Sequence, residues 1–345
     1  MIYPWQQDTW HKICQTIMHQ APLPHALLIH GARGIGKTHF ALALGQTLLC
    51  EARLATGEAC NTCQACHWFT HGNHPDFLLV RPSALEKPNE EHDKDHQTHN
   101  KENKTDKKSS QEIVLNQIKT LTNAVSIASH RGHHKVAIIY PAELLNVYAA
   151  NALLKTLDEP PGNTIFILVS DQLDRVLPTI LSRCQRLAMP TPNQKTAVDW
   201  LLSQHVTEPD MLLSQTGNAP LAALHLAKET TQLTNNKLLL AGLAQGIQID
   251  WLTLAEQFSK ENLGQTISCL QRWGYDLLSL RLTKNIRYFP GYHAILNPLA
   301  QQIKTLKLFK FLDTLKNQQR YINHPLNTKL VLETCLLDYQ QLFTT

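Results

Sequence analysis

No stretch of this 345-residue chain is apolar for long enough to cross a bilayer as a helix, so a helical membrane protein is not expected. Met1 to Trp10 is polar and aromatic rather than a secretory leader, and the cytoplasm is the expected compartment. Charge of one sign is also scarce. Against 32 Lys and Arg stand 28 Asp and Glu, a net charge of +4, with 18 histidines able to add to it at lower pH. That balance permits contact with nucleic acid but lacks the clear basic stripe of a free-standing DNA binder. A hydrophobic content of 43% excludes disorder along the whole chain and suffices for the cores of two or three domains.

What the chain does have is a phosphate-binding loop. Gly31-Ala32-Arg33-Gly34-Ile35-Gly36-Lys37-Thr38 meets every position of the pattern Gly-x-x-x-x-Gly-Lys-[Ser/Thr]. The apolar run Ala26 to Ile29 before it reads as a buried parallel strand, and Phe40 to Leu44 after it reads as a helix. In that context glycines let backbone N–H groups curl around phosphates, Lys37 reaches the terminal phosphates, and Thr38 offers a hydroxyl to Mg²⁺. ATP or ADP with Mg²⁺ is the ligand such a loop takes; a glycine-rich turn without a ligand, or a loop kept after activity was lost, are the alternatives.

Cys50, Cys60, Cys63 and Cys66 follow, spaced C-x9-C-x2-C-x2-C. Four thiolates so close together, in a chain with a cytosolic nucleotide motif, read as a closed tetrahedral zinc site that braces a loop and does no chemistry. His67 and His71 are the nearest substitutes if one thiolate is not a ligand. Redox C-x-x-C pairs are the weaker alternative, because two overlapping pairs share Cys63. Cys14, Cys184, Cys269 and Cys335 are scattered and read as ordinary buried or half-buried thiols.

Residues 83–111 break with their surroundings, being dominated by Glu, Asp, Lys, His, Asn and Gln, and are expected to form a poorly ordered surface insertion. On both sides an α/β rhythm runs: strands at Phe77–Val80, Val136–Tyr140 and Thr164–Ser170, helical spacing at Val114, Ile118, Leu121 and Val125, and a helix over Ala149–Leu157. Such alternation implies a parallel sheet covered on both faces. Pro190-Thr191-Pro192 ends it. Beyond lie a compact helical unit, punctuated by Gly217-Asn218-Ala219-Pro220, and further helices around Leu238–Leu243, Leu252–Phe258, Ile267–Leu282, Leu306–Leu315 and Leu330–Tyr339. The expected class is α/β plus all-α, with an α/β domain over 1–190, a small helical domain over 191–232 and a helical domain over 233–345.

A competent phosphate-loop ATPase also needs a carboxylate at the end of a second strand to hold Mg²⁺, usually beside a Glu that orients water. Here that strand ends in Tyr140-Pro141, with no carboxylate at either position. Glu143 substitutes only if the loop curls back. Hydrolysis in the chain's own site is therefore expected to be absent or very slow.

Asn151-Ala152-Leu153-Leu154-Lys155-Thr156-Leu157-Asp158-Glu159-Pro160-Pro161, followed by Leu181-Ser182-Arg183-Cys184, resembles the bacterial clamp-loader ATPases of the AAA+ class in the DNA polymerase III holoenzyme. The four-cysteine insert strengthens the likeness. It spans residues 1 to about 190 and continues more weakly to Asn323-His324-Pro325-Leu326-Asn327 and the leucine-rich helix after it. The resemblance implies an AAA+ domain with a zinc module, a small helical lid and a helical collar. It also implies gamma/tau and delta subunits as partners in a hetero-pentamer, the sliding clamp, and primed DNA reached through the assembled complex.

Departures from the family's motors select the subunit type. Where gamma/tau motors carry Asp-Glu this chain has Tyr140-Pro141, and no sensor Arg follows in Gly217 to Leu221. Ser170 occupies the polar sensor position, and Arg183 of Ser-Arg-Cys is the residue that the family offers across a subunit boundary to a neighbour's γ-phosphate, the alternative being an arginine that merely pairs with a nearby carboxylate; Arg186 is a second candidate. The resemblance thus implies a largely non-hydrolysing stator. An active motor using Glu143, and a zinc-containing nucleic-acid module with a relic loop, are the competing readings.

Overall fold

The computed structural model describes residues 2–19, 23–85, 110–130, 134–320 and 327–344. The expected insertion therefore lies mostly outside the described residues, as do Asn323 to Leu326. Its two ends are described and are clasped together: Ser110 N donates to Ser83 Oγ at 2.7 Å and Ala84 N to Ser110 O at 3.0 Å. The chain forms two compact units, Met1–Thr191 and Pro192–Thr345.

In chain order the first unit contains helix α1 (Gln7–Met18), strand β1 (Ala26–His30), α2 (Lys37–Leu49), α3 (Gln64–Thr70), β2 (Phe77–Val80), α4 (Leu115–Ser126), β3 (Lys135–Ile139), α5 (Val147–Asp158), β4 (Thr164–Ser170), α6 (Pro178–Leu181) and β5 (Gln185–Ala188). The strands make one parallel sheet in the order β2-β3-β4-β1-β5. Every residue of β3 and β4 is buried, as continuous apolar runs covered on both faces must be. Strand β5, Gln-Arg-Leu-Ala, is absent from the sequence reading. It lies at the sheet edge with three of its four residues exposed, so it carries no buried-strand pattern.

Local chemistry sets the element ends. Asn146 caps α5, its side chain accepting from Ala149 N at 2.8 Å; a cap of this kind contributes about 1 kcal/mol. The helix stops before Pro160-Pro161, where the missing N–H groups cannot continue it. The register Leu28↔Leu168 and Ile138↔Ile167 aligns the C-terminal ends of β1, β4 and β3. Loops leaving those ends therefore share one crevice, the usual ligand position in open α/β sheets.

The second unit is helical: α7 (Gln194–Ser203), α8 (Pro209–Gln215), α9 (Pro220–Lys228), α10 (Thr230–Leu243), α11 (Trp251–Phe258), α12 (Leu263–Thr283), α13 (His293–Gln302), α14 (Thr305–Arg320) and α15 (Thr328–Gln341). It has separate apolar clusters, one around Leu201, Leu213 and Leu226 and a larger one around Trp273, Leu277 and Leu336. Helix α13 escaped sequence reading because Pro298 sits inside it. Two buried polar links tie the larger cluster. Trp273 Nε1 donates to Tyr339 Oη at 2.9 Å, and that hydroxyl donates to Leu243 O at 2.7 Å, joining α12, α15 and α10. The fully buried Asp276 accepts backbone N–H groups of Arg287, Tyr288 and Phe289.

Candidate phosphate-loop and metal sites

Gly31 to Thr38 runs from the end of β1 into the first turn of α2. Gly36 has φ +88°, and a Cβ there would meet Tyr3 Cε2 at 2.5 Å, so only glycine fits. The segment before α1 covers this point: Trp5 Nε1 and Gln6 Nε2 each donate to Ile35 O at 2.9 Å, and the Tyr3 ring stacks on Trp5 with centroids 5.0 Å apart.

Lys37 is buried. Its Nζ donates to Gly31 O at 2.9 Å and Ala32 O at 2.6 Å, and lies 2.6 Å from Asp171 Oδ1. Asp171 directly follows β4. It also faces Arg33, whose side chain is 89% exposed, at 4.0 Å. Tyr140, just after β3, donates from its hydroxyl to Asp171 Oδ2 at 3.5 Å, and the Thr38 side chain lies close to the Tyr140 oxygen. Burial first, and then the Asp171 charge, push the Tyr140 phenol up, so it stays a neutral partner. Asp171 went unremarked in the sequence; an acidic residue one position after the fourth core strand was the available signal.

The loop carrying Glu143 does curl back. Glu143 Oε1 accepts from Asp171 N at 3.1 Å and the Ser170 side chain lies close by, while Oε2 is buried with no partner. Burial pushes this carboxyl up, outweighing the stabilisation of the charge by these polar neighbours. Ser170 is fully buried, its Oγ accepting from Gln172 N at 3.1 Å. The crevice thus brings together Lys37, Thr38, Tyr140, Glu143, Ser170 and Asp171.

Arg183 is elsewhere, on the turn between α6 and β5. Its Nε lies 2.7 Å from Asp158 Oδ1 without an aligned N–H, an ion pair of side chains 33% and 48% exposed, and Nη1 donates to Thr179 O at 3.1 Å. Arg186 lies on β5 and is exposed.

The metal candidate is compact. The sulfurs of Cys50, Cys60, Cys63 and Cys66 all lie within 4.8 Å of one another, with Cys50 to Cys60 at 3.6 Å and Cys50 to Cys63 at 3.9 Å. Four sulfurs ~2.3 Å from a tetrahedral zinc sit roughly 3.8 Å apart, so the set fits such an ion. Backbone N–H groups of Cys60, Cys63 and Cys66 donate to sulfurs of the cluster at 3.3, 3.2 and 3.4 Å. Hydrogen bonds from Thr62, side chain and backbone, bring the Cys60 thiol down to about 6. Burial pushes the Cys50 and Cys66 thiols up, a penalty that a bound dication offsets. His67 and His71 are outside the set; His71 Nδ1 contacts His67 O at 2.7 Å. Cys14, Cys184, Cys269 and Cys335 are buried free thiols. The insert is tied to α1 by Trp10 Nε1 donating to Glu58 Oε1 at 2.7 Å.

Among the described residues no helix is long and apolar enough to cross a membrane. The sequence model described as "DNA polymerase III, delta subunit" matches residues 6–193. The DNA polymerase III subunit delta' of Pseudomonas aeruginosa is 31% identical, covering 99% of this chain and 98% of that protein. The DNA polymerase III subunit tau of Bacillus subtilis is 25% identical over 92% of this chain and 58% of its own. Among solved structures, a DNA polymerase III gamma subunit-related protein of Thermotoga maritima aligns over 98% of this chain and 99% of its own, at 16% identity and a TM-score of 0.41. The chain belongs to the delta' family of DNA polymerase III clamp-loader subunits.

Proposed function

We propose that this subunit acts as a largely non-hydrolysing stator, supporting ATP-driven loading of the sliding clamp onto primed DNA and lending Arg183 to the nucleotide site of a neighbouring subunit. The observation that carries the reading is the end of β3. Tyr140 and Pro141 stand where a motor holds its Mg²⁺-binding carboxylate, the next acid along the chain, Glu143, is turned to the Asp171 amide, and the Asp171 carboxylate is paired with Lys37. A phenol and a proline supply no ligand for Mg²⁺, so steady-state ATP hydrolysis by the isolated chain should be negligible.

In this reading residues 191–232 form a small lid and 233–345 a collar that joins gamma/tau and delta subunits in a pentamer. Zinc held by Cys50, Cys60, Cys63 and Cys66 is structural, and the assembly works in the cytoplasm. Arg183 suits the trans role because it lies on a surface turn, held by a solvent-screened pair and by exposed hydrogen bonds to Thr179 O and Ser182 Oγ. A guanidinium reaching a neighbour's γ-phosphate stabilises the charge that shifts during phosphoryl transfer, an effect of about a thousand-fold or more at that one site.

The test is Arg183→Ala in a fully assembled complex. Folding, metal content and assembly should be retained, with a partial deficit in clamp-stimulated ATP hydrolysis, since other sites keep their own fingers, and a larger one in clamp loading. Unchanged rates in both assays would remove the trans role.

A further inference from the structure

Lys37, which would serve a bound nucleotide, is already occupied by the chain itself. An ammonium has three N–H donors. Those of Lys37 are met by Gly31 O, Ala32 O and the Asp171 carboxylate, with the Lys37 side chain 2% exposed. Thr38 lies close to Tyr140, whose hydroxyl donates to Asp171. Asp171 is itself fixed, because its amide donates to Glu143 Oε1 and its side chain is only 14% exposed. The acid and the phenol come from the ends of β4 and β3, the strands whose register brings them beside the loop.

We propose that Asp171 is the resident anion of this loop and so decides what the loop can take. Its carboxylate stands where Lys37 would receive the terminal phosphates of a nucleoside di- or triphosphate, and such a ligand enters only by displacing it. Two effects oppose entry. The Lys37–Asp171 pair must be broken in a poorly hydrated crevice, and the freed carboxylate then faces phosphates of the same sign at close range, where repulsion is weakly screened. An intact phosphate-loop sequence therefore coexists with weak nucleotide binding in the resting chain. This deepens the stator reading, yet it concerns the isolated chain alone and does not depend on Arg183.

The probe is ADP without added Mg²⁺, followed by calorimetry and by thermal shift on the full zinc-loaded chain. Wild-type protein should show no saturable binding below about 0.1 mM. Asp171→Asn, which keeps an acceptor for Lys37 but not the charge, should bind ADP at least tenfold more tightly, equivalent to about 1.4 kcal/mol. Adding Lys37→Ala should abolish the gain, which ties it to the loop. Asp171→Ser replaces Asp171→Asn if the latter does not fold. Micromolar ADP binding by the wild-type chain would overturn the proposal on its own. So would unchanged or weaker binding by a folded Asp171 variant. If binding weakens only when Mg²⁺ is present, Asp171 is a cation ligand instead. Failure of the stator reading would look different, as ATP turnover by the isolated wild-type chain.

Discussion

Arg183 Nε lies 2.7 Å from Asp158 Oδ1, so the residue proposed to reach into a neighbouring site is held, within its own chain, by the residue that ends α5. The two belong to the runs Asn151 to Pro161 and Ser182-Arg183-Cys184, which the fold brings together although 25 positions separate them (183 − 158). Both side chains are at least a third exposed, and pairs of this kind contribute between about 0 and 1 kcal/mol. The pair orients the guanidinium without trapping it.

Asp158→Asn should therefore behave unlike Arg183→Ala. Unfolding stability is expected to change by less than about 1 kcal/mol, and clamp-stimulated ATP hydrolysis in the assembled complex to stay within about twofold of wild type. Denaturant titration and steady-state turnover check the two halves. If Asp158→Asn lowers turnover as much as Arg183→Ala does, the ion pair itself is the functional unit and the arginine does not leave it.

The metal prediction concerns Cys63, whose sulfur lies 3.9 Å from that of Cys50 and whose N–H donates to Cys60 Sγ. Native protein purified under reducing conditions should carry one zinc per chain by elemental analysis. Cys63→Ser, or chelation, should release it and make the insert after α2 sensitive to protease, since the cluster is the insert's own small core, formed by Cys50, Ala59 and Cys66. The sheet, which has a separate apolar cluster, should persist by circular dichroism. Metal-free native protein with an equally resistant insert would sink the assignment.

How far the sequence reveals this arrangement depends on whether a feature is local. The bounds of β2 and β4 were readable because each is a continuous apolar run, and the phosphate loop because its spacing is its geometry. The cysteine cluster was readable for the same reason. Strand β5 was not, since an edge strand needs no apolar code, and α13 was not, since tertiary packing tolerates Pro298 where propensity would reject it. The contacts of Lys37 with Asp171 and of Glu143 with the Asp171 amide join residues 134 and 28 positions apart (171 − 37; 171 − 143). Only the order of strands in the sheet brings such residues together. The motif thus identifies the loop, and the topology identifies what fills it.

Glu143 gives a prediction whose sign follows from linkage. Burial raises its pKa in the folded chain above the ordinary carboxylate value of 4.5, so between those two values the folded state holds a proton that the unfolded state has lost. Stability contributed by the protonated form is complete below 4.5 and declines as pH rises toward the folded value. At neutral pH the buried charge is then a cost, with Oε2 lacking a partner. Glu143→Gln removes the charge while its amide oxygen can still accept from Asp171 N. Urea unfolding from pH 4 to pH 8 should show the variant's stability relative to wild type rising with pH through and above the carboxylate range, and reaching a plateau once Glu143 is ionised in the folded chain. Zinc release and histidine titration affect both proteins alike and cancel in the difference. A difference that is flat with pH, or a variant less stable than wild type at pH 7, would mean that the Asp171 hydrogen bond and the polar surroundings of the carboxyl outweigh burial.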